Sequence, residues 1–105
     1  MARFDVYANP GGHAVTTPYL LDVQSDLFDG LDSRMVIPLR SLEHFPQISL
    51  PLHLTPVFTI NGADFLLETP KMGAVPQRVL KVPVMSLATE RDRIISALDF
   101  LFLGY

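Results

Sequence analysis

Residues 88–105, ATERDRIISALDFLFLGY, contain no helix breaker before Gly104. At about 100° per residue, the apolar side chains fall mostly on one side of a helical wheel and the charged ones on the other. Glu90 and Asp92 lie in the first turn, where the helix dipole favours acidic groups, and Thr89 with Asp92 fits a loose capping pattern. The stretch therefore predicts an amphipathic helix that packs on a core.

Two apolar residues of this helix, Phe100 and Leu103, fall on the polar side of the wheel. The wheel places on the core side Leu87, Ile94, Leu98, Leu101, Phe102 and Tyr105, with Ile95 at its edge. One interpretation is that another segment covers the two exceptions, or that they are singly exposed apolar residues, which are common. The other is a short apolar patch that serves a partner.

The residues before the helix alternate between short apolar runs and turn signals. In chain order, the predicted strands are 3–7, 19–24, 35–39, 56–60, 63–68 and 77–84. The pair Asn61-Gly62 is the strongest hairpin signal, because both turn residues need positive φ. Pro38 lacks an N–H, so its strand is expected to lie at an edge or to end near that point. Short strands followed by one helix predict a mainly β chain with a C-terminal α-helix (α+β), in which the helix covers a small antiparallel barrel or bent sheet.

Three segments between the strands are predicted to be irregular. Residues 8–17 contain the sequence Asn9-Pro10-Gly11-Gly12 and are predicted to form a polar, exposed loop. Residues 25–33 are rich in Asp, Gly and Ser, which is typical of turns. Pro46 and Pro51 interrupt residues 41–53, so this segment is expected to leave the main sheet as short extended pieces.

Composition bounds the class of protein. A chain of 105 residues with 49% hydrophobic and 18% charged residues predicts one domain, residues 1–105, with one modest core. The absence of cysteine excludes disulfides and thiolate sites and favours a reducing compartment, so we expect a cytoplasmic protein. The net charge of −3 argues against a nucleic-acid footprint. No apolar stretch approaches the roughly 20 residues that span a membrane.

Residue chemistry favours a binding protein over an enzyme. His13, His44 and His53 are far apart and lack helical spacing, so neither a metal site nor another cofactor is expected. The chain contains no nucleophile elbow and no phosphate-binding glycine loop. One catalytic alternative stays open, in which Arg34 or Arg40, with an acid or a histidine nearby, stabilises the charge on a phosphodiester.

Three blocks of sequence carry a resemblance to a known family. They are RFDVY at 3–7, LDVQSDL at 21–27 with RMVIPL at 34–39, and the C-terminal helix that ends in glycine plus one hydrophobic residue. The VFTI segment at 57–60 and the Val75-Pro76 step also fit. On these motifs, which span nearly the whole chain, the sequence resembles the CcdB family of toxins from bacterial toxin–antitoxin modules.

The resemblance implies a fold and a set of partners. The fold would be a homodimer of SH3-like barrels, each with an extra small sheet and a long C-terminal helix. Such toxins act without catalysis: they bind the A subunit of DNA gyrase and trap the enzyme on cleaved DNA. A cognate CcdA-like antitoxin removes the toxin through a flexible arm, and the pair regulates transcription, so contact with DNA is expected only through the antitoxin.

The resemblance also implies which residues bind gyrase. The matching positions are Leu103, Gly104, Tyr105, Asp99, Ser25 and Leu27. Gly104 agrees with the family, whereas Leu103 replaces the tryptophan of the best-known members and Tyr105 replaces isoleucine. Asp99 stands in place of an asparagine. Tryptophan is a stronger interface anchor than leucine, although burying a leucine still contributes about 1.5–3 kcal/mol.

Two further functions stay open at this level. One is a MazF-type endoribonuclease on the same fold, with Arg34 or Arg40 at the scissile phosphate; the sequence pI of about 5.4 weighs against it. The other is a non-poisoning relative that acts with its antitoxin in transcriptional autoregulation, which the residues at positions 103 and 105 favour.

Overall fold

The computed structural model describes residues 2–44 and 51–105, and within these ranges one antiparallel sheet is closed by a C-terminal helix. The elements are β1 (Asp5–Ala8), β2 (Tyr19–Asp22), β3 (Ser33–Ser41), β4 (Val57–Ile60), β5 (Ala63–Leu67), β6 (Gly73–Pro76), β7 (Met85–Ser86) and α1 (Arg91–Leu103). The strand order is β4-β5-β3-β2-β1-β7, and β6 pairs with β3. The sheet curls into a half-barrel, so the predicted α+β class is confirmed.

The hairpin between β4 and β5 forms where the sequence predicts it. Asn61 has φ of 53° and Gly62 has φ of 81°, so both turn residues adopt the left-handed conformation. Ile60 pairs with Ala63 directly across the turn. Asparagine and glycine reach this conformation at low cost, which fixes the register of the two strands.

β3 is the central strand, and the prediction that Pro38 lies at a strand edge or end is wrong. The strand runs for nine residues through this proline. Its pairing with β6 ends at Val36, and its pairing with β5 begins at Leu39. The Pro38 carbonyl accepts a bond from the Glu68 N–H at 2.9 Å on this same side. The missing N–H therefore falls in the gap between two partner strands, where it costs no ladder bond.

The two faces of the sheet carry separate apolar clusters, as the period of a strand requires. The larger cluster consists of Phe4, Val6, Leu21, Val23, Ile37, Leu39, Phe58, Ile60, Phe65, Leu67, Leu87 and Ile94. The smaller cluster, on the other face, consists of Tyr7, Leu20, Val36 and Leu80. Because Leu87 and Ile94 belong to the larger cluster, α1 covers that face.

The predicted strand at 77–84 is wrong. Gln77–Val79 forms a 3₁₀ turn, and the strands on either side are β6, which pairs with β3, and β7, which pairs with β1. Leu80 is the buried residue of this segment and packs in the smaller cluster. The apolar alternation at Val79-Leu80-Lys81-Val82 therefore does not produce a strand, because β6 already pairs with the first half of β3. The pattern comes from one buried leucine and its neighbours.

The helix begins later than the sequence suggests. A 3₁₀ turn at Ala88–Glu90 precedes α1, and Glu90, its N-cap residue, makes no side-chain capping bond. The predicted cap of Thr89 with Asp92 is therefore wrong. Leu87 is the N-cap residue of the preceding turn, and Ser86, one residue before it, accepts a bond from the Ala88 N–H through its Oγ at 3.1 Å.

Three of the helical-wheel assignments are reversed. Phe102 and Tyr105, assigned to the core, are 69% and 84% exposed, whereas Phe100, assigned to the polar side, is partly buried. Ile94 and Ala97 are the fully buried positions. The core contact thus lies in the first half of the helix, and the last turn extends beyond it.

The expected excursion at 41–53 is described only in part. Leu42–His44 forms a 3₁₀ turn at the end of β3, and the Leu54 N–H donates to the Pro51 carbonyl at 3.0 Å in a second turn. Residues 45–50 lie outside the described part of the chain, so the extra small sheet stays a prediction.

Candidate functional site

A buried ion pair organises the turn between β2 and β3. Arg34 and Asp22 are both fully buried, and the Arg34 Nε and Nη2 atoms donate to Asp22 Oδ2 at 3.0 and 2.6 Å. Nη1 donates to Asp29 Oδ1 at 3.3 Å, and Nη2 also donates to the Gln24 carbonyl at 3.3 Å. One guanidinium thus ties the start, the middle and the end of the turn together, since a buried charge needs every available partner.

The pKa of the Asp22 carboxyl reflects this burial. Desolvation raises the pKa of Asp22, and the hydrogen bonds from Arg34 and from the Gln24 N–H act in the opposite direction. Burial likewise raises the pKa of the nearby Tyr7 hydroxyl. Both shifts follow from the burial of this part of the fold.

The Gln24 side chain closes the same turn. Its Oε1 atom accepts a bond from the Met35 N–H at 3.0 Å, and its Nε2 atom donates to the Phe28 and Ser33 carbonyls at 3.1 and 3.2 Å. Ser25 Oγ accepts a bond from the Leu27 N–H at 3.2 Å and caps the 3₁₀ turn Asp26–Phe28. These local bonds complete the frame that Arg34 begins.

This frame holds large apolar side chains in solvent. Leu27 is 89% exposed, and Phe28 and Leu31 are also exposed on the same turn. We call Ser25, Leu27, Phe28 and Leu31 the turn surface. Its side chains contribute nothing to the core, so their contact area is available to a partner.

A second exposed apolar surface lies at the end of α1. Leu103 is 57% exposed and Tyr105 is 84% exposed, and Asp99 lies one turn earlier, also exposed. Gly104 ends the helix with φ of 81°, and its N–H donates to the Phe100 carbonyl at 3.0 Å. We call Asp99, Phe102, Leu103, Gly104 and Tyr105 the helix-end surface.

The first half of α1 fixes the helix to the sheet. Arg93 Nη2 donates to the Val57 carbonyl at 2.8 Å, and its guanidinium carbon lies 4.5 Å from the centre of the Phe58 ring. Arg93 Nη1 also pairs with Glu90 at 2.8 Å. This clamp covers the edge strand β4, while the helix-end surface lies more than one turn further along.

Comparison with known families places the chain. The family model of the CcdB protein matches residues 3–104 of the 105 residues. The chain belongs to the CcdB family. Membership supports the function of a toxin in a toxin–antitoxin module, and it fits a protein that acts by binding.

The six residues predicted from the CcdB resemblance fall into two groups. Ser25 and Leu27 lie on the turn surface, joined by the capping bond, and the other four lie on the helix-end surface. No hydrogen bond or ion pair within residues 2–44 and 51–105 links one group to the other. The sequence analysis did not assign Phe28, Leu31 or Phe102 to either surface. The acidic turn residues around Phe28 and Leu31 already indicated that both are exposed.

Arg34 and Arg40, the two arginines considered for a ribonuclease site, have different surroundings. Arg34 is fully buried and engaged by three carboxylates, those of Asp22, Asp26 and Asp29, so it cannot receive a substrate phosphate. Arg40 lines an open pocket with His13, Glu68 and Lys71. Only the second position is compatible with that alternative.

Neither a three-residue metal cluster nor a membrane-spanning helix occurs in the described residues. No group of three His, Cys, Asp or Glu side chains within them is arranged to hold a metal ion. Over the same ranges, no helix combines the length and the apolar character that crossing a bilayer requires.

Proposed function

We propose that this CcdB-family chain is a toxin that binds the A subunit of DNA gyrase and traps the gyrase–DNA cleavage complex. The observation that carries the proposal is the helix-end surface: Leu103 and Tyr105 occupy family-matched positions and are exposed, at 57% and 84%. These apolar side chains at the end of the helix lie outside the core. Their area contributes free energy only when a partner covers it.

The turn surface supplies the second contact in this proposal. Leu27 matches a family position and is held out by the Arg34 frame. In this proposal both surfaces act by contact, so the toxin inhibits gyrase by binding and not by catalysis. We propose that the active form is a cytoplasmic homodimer of one domain, residues 1–105, which brings two copies of each surface to the target.

A cognate CcdA-like antitoxin completes the proposed module. It would bind the toxin dimer, remove it from gyrase and repress the shared promoter, so the toxin would meet DNA only through the antitoxin. Family membership supports this partner, because it places the chain in a toxin–antitoxin module.

The test combines expression with binding. Expression without the antitoxin, in cells with a matching gyrase, should arrest growth and induce the response to DNA damage. The purified chain should bind the gyrase A subunit in calorimetry, and deletion of residues 103–105 should abolish both effects while the protein still unfolds cooperatively. Val82→Ser is the matched control, because Val82 is 78% exposed on a different surface. Antitoxin binding without gyrase binding would instead identify a non-poisoning regulator.

A MazF-type endoribonuclease is the second candidate, and the pocket at Arg40 favours it. There an arginine, a histidine and a carboxylate line one cavity, which are residue types that phosphodiester cleavage uses. Incubation of long single-stranded RNA with the pure protein and a chelator tests whether the protein is a ribonuclease. Cleavage that disappears in Arg40→Gln would support this function, and intact RNA would exclude it.

A further inference from the structure

A four-residue turn, from Ala2 to Asp5, holds a phenylalanine in a strained backbone conformation. The Asp5 N–H donates to the Ala2 carbonyl at 3.1 Å, and Phe4, the third residue of the turn, has φ of 72°. A positive φ at this position normally requires glycine or asparagine, and it disfavours a residue that carries a Cβ by about fivefold or more. Neighbouring contacts must therefore hold Phe4 in this conformation.

One set of these contacts joins the strained residue to the base of the turn surface. The Arg3 N–H donates to Asp26 Oδ1 at 2.8 Å, and Asp26 begins the 3₁₀ turn of that surface. Arg3 Nε donates to the Val23 carbonyl at 2.9 Å, and the Phe4 N–H donates to the Asp22 carbonyl at 2.7 Å. Three hydrogen bonds thus fix these two residues to the segment that carries the turn surface.

A second set of contacts joins the same residue to the segment that leads into α1. The Phe4 carbonyl accepts a bond from the Leu87 N–H at 2.8 Å, and Leu87 is the N-cap residue of the 3₁₀ turn before the helix. The Phe4 ring is buried in the larger cluster, to which Leu87 and Ile94 also belong. Phe4 therefore has its N–H on the side of the turn surface and its carbonyl on the side of the helix.

We propose that Arg3 and Phe4 form a strained latch that couples the turn surface to the start of α1. A return of Phe4 to negative φ would relieve the strain, but it would rotate the two peptide groups of this residue relative to each other. The bonds to Asp22 and Leu87 could then not both survive. A contact that takes Asp26 away from the Arg3 N–H thus favours the unlatched state and loosens the start of the helix. The coupling is reciprocal, as linkage between two sites requires.

Glycine and alanine at position 4 measure the strain. Both variants lose the ring, and only the alanine keeps a Cβ, so the unfolding equilibrium constant of Phe4→Gly should be about fivefold lower than that of Phe4→Ala. Ala8→Gly is the control with the opposite sign, because glycine weakens a strand and Ala8 in β1 has an ordinary φ. Urea denaturation measures these constants. A Phe4→Ala variant at least as stable as Phe4→Gly would overturn the latch.

Hydrogen exchange of the Leu87 amide measures the coupling. Asp26→Ala removes the carboxylate that accepts the Arg3 N–H, so the Leu87 amide should exchange about fivefold faster or more. Asp26→Asn keeps an acceptor oxygen and should retain most of the protection. Asp32→Ala removes the same charge from an exposed position in the same segment and should leave the exchange of Leu87 unchanged.

The Leu67 amide distinguishes release of the latch from a general loss of stability. This amide donates to the Pro56 carbonyl at 2.9 Å in a different part of the sheet. In Asp26→Ala, faster exchange at Leu87 with unchanged exchange at Leu67 is expected. Equal acceleration at both amides, no acceleration at Leu87, or the same acceleration in Asp32→Ala would each overturn the proposal. These measurements use the free protein, so their outcome is independent of gyrase binding.

Discussion

The turn surface and the helix-end surface expose similar apolar side chains but are held in opposite ways. Leu27 sits on a turn that a fully buried arginine ties to two carboxylates and a carbonyl. Leu103 sits at the end of a helix whose core contacts, at Ile94 and Ala97, lie more than one turn away. One surface is a rigid platform, and the other is an extension of an element anchored elsewhere.

The difference separates folding from binding. A side chain that the free protein already holds in place loses little conformational freedom when a partner docks, whereas a terminal segment loses more. Changes beneath the turn surface should therefore affect the stability of the fold. Changes to the exposed side chains of the helix-end surface, apart from the capping Gly104, should affect affinity and leave stability nearly constant.

The strongest test of the contrast is Arg34→Met. It leaves the Asp22 carboxyl buried without its partner, so the free energy of unfolding should fall by about 3–5 kcal/mol. Urea denaturation measures this change. Arg91→Met, at the exposed start of α1, is the control and should change stability by less than about 0.5 kcal/mol. Equal losses in the two variants would show that the ion pair does not hold the turn.

At the helix end, Leu103→Trp should act on affinity alone. If this surface binds gyrase, a tryptophan there should strengthen binding by about 2 kcal/mol, or roughly 30-fold, with the thermal midpoint unchanged. Val82→Trp, at a comparably exposed position elsewhere, should have no effect on calorimetric affinity. A similar gain in both variants would indicate nonspecific adhesion, and a loss in Leu103→Trp would move the contact away from this residue.

Gly104→Ala tests how firmly the helix end is formed. The left-handed φ of 81° costs an alanine about 1 kcal/mol, so the last turn should fray and stability should fall by up to that amount. Gly30→Ala is the matched control, because its backbone is not left-handed and a Cβ there meets nothing within 4 Å. Thermal unfolding measures the midpoints of the two variants. Equal midpoints would mean that the helix end is already frayed.

The smallest expected effect is that of Ser25→Ala. It removes the hydroxyl that accepts the Leu27 N–H, and a hydrogen bond of this kind contributes about 0.5–1 kcal/mol. Thr89→Ala should cost nothing by chemical denaturation, because Thr89 makes no capping bond at the start of α1. A larger loss at Thr89 would contradict the described helix start.

Local signals in the sequence were sufficient to predict the elements whose conformation depends on the residues within them. The Asn61-Gly62 hairpin is predicted because positive φ at two residues requires those residue types. The C-terminal helix and its end at Gly104 are predicted for the same kind of reason. The strand through Pro38 and the missing strand at 77–84 depend instead on which partner lies beside β3, and no local pattern encodes that.

The candidate surfaces show the same division. Leu103 and Tyr105 are predicted from the CcdB resemblance; the helical wheel alone places Leu103 on the polar side but Tyr105 on the core side. The role of Arg34 could not be derived, because Asp22, Asp29 and the arginine meet only after β2 and β3 pair. In the sequence alone, the acidic residues are turn formers and the arginine is a candidate for catalysis. Pairing turns them into one structural unit.

The position of Pro38 has a consequence for how the sheet opens. Because the proline separates the β6 ladder from the β5 ladder along one side of β3, each set of hydrogen bonds can break without the other. The segment from Gly73 to Leu80 is therefore a candidate for a separate cooperative unit, released from the sheet while the hairpin stays paired. In hydrogen exchange, its amides would exchange through a lower-energy opening than those of β5. A missing N–H at the centre of the sheet thus marks the boundary between two ladders on one continuous strand.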